Sequence, residues 1–184
     1  GITDDRDMSE QTPQQHDLND AWAAKVLAVA AIRIGDTVAE IGAGHGALTA
    51  GLLAAGAKVH AVERDELRSK GLRTRFAAQI ADGSLQLWTG DAQQWQHHLP
   101  PGWRVVANPP FNLTAPLVHR WVVGEDPPPM AIDLVLQRET GMKMSPKPGE
   151  QNRTSVLMAV AGRASVRLLL PREATTPPSR VDLC

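Results

Sequence analysis

The feature that most constrains the fold is an alternation of short apolar segments with helical segments along most of the chain. Apolar, β-branched runs bounded by turn residues predict strands, whereas apolar residues at helical spacing predict helices. The predicted strands are Thr37–Ile41, Lys58–Glu63, Ser84–Trp88, Trp103–Ala107, Ala131–Leu136 and Ala164–Leu170. Strands that alternate with helices in this way build a mostly parallel sheet covered by helices on both faces, so we expect an α/β fold.

Helices are expected between these strands. The predicted helices begin after a cap at Asp20, cover Ala47–Ala55, run from a cap at Asp65 to about Gln79, and begin again at a cap at Thr114. Residues 1–16 are polar, and we expect a flexible N-terminal segment that closes over a bound cofactor. Residues 17–184 are expected to form one domain, whose last strand is cut short at Cys184.

The composition is that of a protein with a substantial core, because hydrophobic residues make up 42% and charged residues 21% of the 184 residues. A single cysteine argues against a disulfide framework and against a cysteine-based metal cluster. No apolar run is long enough to cross a membrane, and no signal peptide is recognisable. We therefore expect one cytoplasmic domain without a membrane partner.

The charge balance bears on the class of partner. The 19 Lys and Arg residues face 20 Asp and Glu residues, which gives a formal net charge of -1. Chains that bind nucleic acid usually carry a clear positive surplus. The balance therefore counts against a large polyanionic partner, although a local basic patch remains compatible with it.

A glycine-rich turn follows the first of the predicted parallel strands. Residues 40–47 read Glu-Ile-Gly-Ala-Gly-His-Gly-Ala, where a strand passes into a helix. Gly42, Gly44 and Ala47 also satisfy the G-x-G-x-x-G/A pattern of dinucleotide sites, and a purely structural turn is the alternative. Glu63 ends the next strand about twenty residues further on, where a carboxylate can accept both hydroxyls of a ribose. Together these features favour a nucleoside cofactor.

Two further segments decide which cofactor is expected. Gly90-Asp91 follows the third predicted strand, and Asn108-Pro109-Pro110-Phe111 follows the fourth. With these motifs the sequence resembles the rRNA adenine-N6 methyltransferases, the family of macrolide-resistance and dimethyladenosine enzymes. The resemblance spans roughly residues 12–182. It implies a Rossmann-like class I domain that uses S-adenosyl-L-methionine.

The residues of the Asn-Pro-Pro-Phe segment suit amine methylation in their own right. The Asn108 side-chain oxygen and the Pro109 carbonyl can accept the two N–H bonds of an aromatic amine, which frees its lone pair for attack. Proline restricts the backbone and adds no competing donor. Phe111 offers a ring face on which a substrate ring can stack.

Carried over residue by residue, the resemblance also assigns the cofactor contacts. It places Glu63 at the ribose and Asp91 at the adenine amino group. The complete expected cofactor set is Gln15, His16, Gly42, Gly44, Glu63, Asp91 and Asn108. No metal site is expected, because His97 and His98 have no third ligand at a suitable spacing.

The sequence departs from the family pattern where a substrate would lie. Thr175 replaces a phenylalanine of the Pro-Arg-Glu segment, and Asp17 replaces an aromatic residue near the N-terminus. With the net charge, these departures favour a small planar heteroaromatic substrate such as an indole. Its ring N–H would be held by Glu139 or by the Asn108 oxygen; an ordinary helix-start acid is the alternative for Glu139.

Two other functions remain open at this point. The first is methylation of an rRNA adenine that confers antibiotic resistance, with RNA held by a cluster of basic residues. That cluster, Arg68, Lys70, Arg73 and Arg75, is otherwise a solvated helix face. The second is a catalytically silent interaction module, which the intact motifs disfavour. The oligomeric state is not predicted.

Overall fold

The protein is described by a computed structural model that covers residues 16–145, 165, 167–176 and 183–184. Its centre is a parallel five-stranded sheet with the order β4-β3-β2-β5-β6. The strands are β2 (Thr37–Ile41), β3 (Lys58–Glu63), β4 (Leu85–Thr89), β5 (Arg104–Ala107) and β6 (Ala131–Leu134). The predicted α/β fold is therefore confirmed, with each strand within two residues of its expected bounds.

The helices follow the prediction in place but differ in their ends. They are α1 (Asp20–Ala30), α2 (Ala47–Ala54), α3 (Glu66–Arg75), α4 (Ala77–Ala81), α5 (Thr114–His119) and α6 (Arg138–Met144). Asp65 caps α3 as predicted, and its side chain accepts from the N–H of Arg68. The cap of α1 is Asn19 rather than Asp20, because the Asn19 side chain accepts from the N–H of Trp22.

Two other predicted helix boundaries are wrong. The helix that starts at Asp65 does not continue to Gln79, because Phe76 interrupts it between α3 and α4. Thr114 is the first residue of α5 and not its cap, and a short 3-10 helix, Phe111–Leu113, precedes it. A π-helical turn, Arg120–Gly124, extends α5.

Two apolar clusters cover the two faces of the sheet. One packs α1, α2 and α3 against the sheet through side chains such as Leu52, Leu72 and Val59. The other packs Trp103, Trp121 and further buried side chains against the opposite face. Side chains enclosed from both sides explain why the sheet strands are almost continuously apolar.

The end of the chain pairs with two separate parts of the fold. A two-stranded antiparallel ribbon joins β1 (Asp17–Leu18) to β7 (Thr175–Thr176). Leu183 forms isolated antiparallel bridges to Gln137 and to Leu170. The predicted strand Ala164–Leu170 is not formed where it is described, because residues 167–169 have no regular structure.

Candidate functional site

The glycine turn lies at the carboxyl end of the central strand β2. Gly44 has a φ of +59°, and a Cβ at this position would clash with the Asp17 side chain. Both the backbone conformation and the lack of space therefore require glycine here. The Glu63 carboxylate at the end of β3 accepts from the N–H of Gly44 and from the N–H of Asp65, each at 2.8 Å. Glu63 is almost fully buried. Glu63 therefore stabilises the backbone of the glycine turn, which lies at the end of the neighbouring strand.

A second carboxyl lies beneath the same turn. Glu40 is fully buried, and its Oε2 accepts a hydrogen bond from the Thr49 hydroxyl at 2.7 Å. Its Oε1 has no hydrogen-bond partner among the described residues. Burial raises the pKa of the Glu40 carboxyl to about 8; the bond from Thr49 opposes this rise and the charge of Glu63 adds to it. At neutral pH the group is therefore mainly protonated.

A small cavity separates the turn from the Asn-Pro-Pro loop. Its volume is about 20 Å³, room for about one water molecule. It is lined by Asp17, Leu18, Glu40, Gly42, Ala43, His45, Ala47, Leu48 and Asn108. A cavity of this size has no room for a nucleoside.

The Asn-Pro-Pro loop is held at the carboxyl end of β5. Asn108 and Pro109 are buried, and the Asn108 Nδ2 donates to the His16 carbonyl at 2.6 Å. Because the amide nitrogen points to that carbonyl, the amide oxygen is directed away from it. The loop thus offers an oriented side-chain acceptor, as the sequence predicts for amine methylation.

The segment His16–Asn19, called the strap below, crosses the glycine turn. Arg68 Nη1 donates to Asp17 Oδ1 at 2.7 Å, and His45 Nε2 lies 3.3 Å from Asp17 Oδ2. The Asp17 side chain is 13% exposed and that of Arg68 is 22% exposed. Asp17 therefore forms a partly buried ion pair with α3 directly above Gly44.

The remaining predicted site residues fall in different places. Asp91 is half-buried after β4, and its Oδ1 accepts from the N–H of Gln93 at 2.9 Å. Gln15 and the side chain of Phe111 lie outside the described residues. The structure therefore brings together His16, Gly42, Gly44, Glu63 and Asn108, while Asp91 follows the neighbouring strand.

The structure does not support the catalytic role predicted for Glu139. Its side chain is 80% exposed in the first turn of α6, where Lys143 donates to it at 2.7 Å. The hydrogen bond and the positive charge of Lys143 lower the pKa of the Glu139 carboxyl. The described contacts fit the alternative of a surface acid at a helix start.

Thr175, whose replacement of a phenylalanine led us to expect a small substrate, is enclosed by the fold. Thr175 pairs with Leu18 in the β1–β7 ribbon and is only 2% exposed. In this state the Thr175 side chain presents no surface to a substrate. The described structure therefore gives no support to reading a small substrate from this position.

The described residues show neither a candidate metal site nor a membrane-spanning helix. They contain no group of three His, Cys, Asp or Glu side chains placed to hold a metal ion. His97 packs between Trp95 and Trp103, with ring centroids 4.1 and 5.2 Å away, and burial lowers its pKa. None of the described helices has the length and apolar character needed to cross a membrane.

The strand order, the glycine turn, the buried acid that ends β3 and the Asn-Pro-Pro loop after β5 define a Rossmann-like, class I methyltransferase domain. The model of the ribosomal RNA adenine dimethylase family matches residues 9–184. The chain belongs to this family, which confirms the predicted resemblance.

Curated relatives of the chain are named as ribosomal RNA methyltransferases. The chain is 37% identical over 170 residues to a probable ribosomal RNA small subunit methyltransferase A of Methanospirillum hungatei, covering 91% of this chain and 64% of the relative. It is also 37% identical over 173 residues to a ribosomal RNA small subunit methyltransferase A of a Ruegeria species, covering 90% and 60%. This chain thus spans less than two thirds of either relative.

Solved structures confirm the fold. A dimethyladenosine transferase from Plasmodium falciparum aligns with a TM-score of 0.72 at 24% identity, covering 90% of this chain and 60% of that one. The 23S rRNA methyltransferase ErmE aligns with a TM-score of 0.76 at 22% identity, covering 90% and 66%. At this identity the likeness establishes the architecture alone.

Two features of the site were missed from the sequence. Glu40 could have been found, because it is the one charged residue in the apolar strand Thr37–Ile41. The pairing of Asp17 with Arg68 joins residues 51 positions apart and has no local signal. Helix and strand periodicity identifies the elements that carry such residues but not which side chains meet.

Proposed function

We propose that this chain is the catalytic part of an S-adenosyl-L-methionine-dependent rRNA adenine-N6 methyltransferase. The observation that carries the proposal is the oriented carboxamide of Asn108, held by the His16 carbonyl beside the glycine turn. Family membership and the names of the curated relatives favour rRNA as the substrate. The same relatives favour RNA of the small ribosomal subunit.

The residues around the cleft suit the cofactor. S-adenosyl-L-methionine supplies an electrophilic sulfonium methyl group when it is bound. Glu63 would hold the ribose, Gly42, which lines the cleft, would let the backbone approach the cofactor closely, and Asp91 would meet the adenine amino group. The unpartnered Oε1 of Glu40 provides a further buried polar group next to the cleft.

The protein's part in the reaction is positioning and exclusion of water. The Asn108 oxygen and the Pro109 carbonyl accept the N–H bonds of the target amine, which frees its lone pair for attack. The new N–C bond would form as the S–C bond of the sulfonium breaks, with S-adenosylhomocysteine as the leaving group. The methylated nitrogen would then be cationic and acidic, and would release its proton to water without a strong base. A role for Glu139 is not required, which agrees with its exposed position.

A small heteroaromatic substrate has no support from the relatives, although the net charge favoured it. The charge argument weakens because positive side chains are concentrated on α3, where Lys70, Arg73 and Arg75 are exposed. Arg75 donates to the His45 carbonyl at 2.6 Å, so this face begins beside the glycine turn. A local basic face next to the cleft suits an RNA substrate.

The experiment offers methyl-labelled cofactor with three acceptors: unmodified small-subunit rRNA, unmodified large-subunit rRNA, and a panel of indoles. We expect label in the small-subunit RNA as N6-methylated adenosine, identified by nucleoside mass spectrometry. Label in the large-subunit RNA alone would keep the reaction but change its target. Label in the indoles alone would overturn the proposal.

The salt dependence of RNA binding tests whether the basic face of α3 contacts the RNA. RNA binding should weaken steeply with salt, because contacts to phosphates release counterions. Replacing the exposed pair Lys70 and Arg73 by glutamine should reduce this salt dependence, whereas replacing the exposed Lys58 at the opposite end of β3 should not. An unchanged salt slope in the first variant would remove α3 from the RNA contact.

A further inference from the structure

The strap is fixed on three sides. On one side Arg68 donates to Asp17 at 2.7 Å, and His45 lies 3.3 Å from the other carboxylate oxygen. On another side the strap pairs with β7, and the N–H of Asn19 donates to the carbonyl of Ala174 at 2.9 Å. The third contact runs from the Asn108 amide to the His16 carbonyl.

The Asp17–Arg68 ion pair holds the strap against Gly44, where the glycine turn has no side chain. The Asp17 carboxylate lies against the bare Cα of Gly44, in space that a Cβ would occupy. Both charged side chains are mostly shielded from solvent, which strengthens a charge-assisted hydrogen bond. Without Arg68, the Asp17 carboxylate would lose its closest cation and would be drawn out towards water.

The position of the strap decides how the Asn108 amide is oriented. A carboxamide has two N–H donors on its nitrogen and an acceptor on its oxygen. Its two flipped orientations have the same shape, so the neighbouring hydrogen-bond partners select between them. The His16 carbonyl accepts and cannot donate, which selects the orientation with Nδ2 towards it. His16 adjoins Asp17, so a displaced carboxylate would carry this carbonyl with it.

We propose that the Asp17–Arg68 ion pair is a latch that positions the Asn108 carboxamide, so that Asp17 and Arg68 are positioning residues for methyl transfer. The proposal rests on the function proposed above, since the orientation of the Asn108 carboxamide matters for catalysis only if that reaction takes place.

The test compares Arg68→Ala, Arg68→Lys, Asp17→Asn and the double variant of Asp17→Asn with Arg68→Ala. We expect kcat to fall about tenfold in Arg68→Ala, because a small misplacement of a positioned group slows the reaction. The KM values for cofactor and RNA should change much less. Arg68→Lys should restore most of kcat, and the double variant should be no slower than the single ones.

A spectroscopic measurement is independent of activity. The side-chain NH2 signals of Asn108 in a nitrogen-15 correlation spectrum should shift and exchange faster with water in Arg68→Ala and Asp17→Asn. The control is Arg33→Ala, an exposed arginine that precedes β2 at the other end of the sheet, which should leave these signals and kcat unchanged.

The outcomes separate the two proposals. If the wild type is inactive but its Asn108 NH2 signals still change in the Asp17 and Arg68 variants, the proposed function is refuted. The link from the ion pair to the Asn108 amide would then still hold. Unchanged Asn108 signals and kcat in folded Asp17→Asn and Arg68→Ala would overturn the latch. A change confined to the KM for RNA would also overturn it, because Arg68 would then contact RNA directly.

Discussion

The carboxylate of Glu63 accepts a hydrogen bond from the backbone N–H of Gly44 at 2.8 Å, although the two residues belong to different strand–turn units. This contact ties the end of β3 to the turn after β2. The second oxygen of Glu63 holds the N–H of Asp65, which caps α3. One buried carboxylate thus organises the turn and the helix on which Arg68 lies.

The first prediction concerns Glu63. In Glu63→Gln one of the two backbone donors loses its carboxylate acceptor, so the free energy of unfolding should fall by about 1–3 kcal/mol. Affinity for S-adenosylhomocysteine should fall at least about tenfold, because the ribose loses a charged acceptor. Urea unfolding and calorimetry measure the two effects. The exposed Glu66→Gln on α3 is the control, and equal affinities in both variants would contradict the assignment.

The second prediction concerns Gly44. Alanine there must adopt a positive φ and must also displace the Asp17 carboxylate, so Gly44→Ala should destabilise the protein and disturb the strap. Gly35→Ala is the matched control, since Gly35 has a φ of +85° and open space around it. The control should cost only about 1–2 kcal/mol of backbone strain. Equal losses of stability in the two variants would show that the strap does not press on the turn.

The third prediction concerns the proposed acceptor of the target amine. Asn108→Ala should reduce kcat for methyl transfer by at least about a hundredfold, because the amine loses its side-chain acceptor. Binding of S-adenosylhomocysteine should stay nearly unchanged, as measured by calorimetry. Asn112→Ala, at an exposed asparagine of the adjoining 3-10 helix, should keep its activity. Methyl transfer that survived in Asn108→Ala would place the reaction elsewhere.

The sequence predicts the parts of the fold that depend on local pattern. Periodicity located the strands of the sheet. The predicted strand ends also placed Gly44 and Glu63 at the same edge, because the carboxyl ends of parallel strands meet there. Exposure is not a local property, so Glu139 was placed in the site although it lies on the surface. Thr175 misled for the same reason, since its burial comes from pairing with Leu18, far away in the chain.

The fourth prediction concerns the buried carboxyl of Glu40. Its pKa is about 8 in the folded protein, against 4.5 for the unperturbed group. Between these values the folded state keeps a proton that the unfolded state has released, so the contribution of Glu40 to stability is fully present below a pH of about 4.5 and is lost as the pH rises towards 8. This single group contributes a slope of up to about 1.4 kcal/mol per pH unit.

Glu40→Gln removes the titration and keeps the shape of the side chain. Its amide oxygen can still accept from the Thr49 hydroxyl, which in the wild type donates to the Glu40 carboxyl at 2.7 Å. The free energy of unfolding, measured in urea between pH values of about 5 and 8, should therefore decline less steeply in Glu40→Gln than in the wild type. Glu66→Gln on the surface should retain the wild-type slope. Parallel pH profiles for Glu40→Gln and the wild type would mean that Glu40 is already ionised beneath the glycine turn.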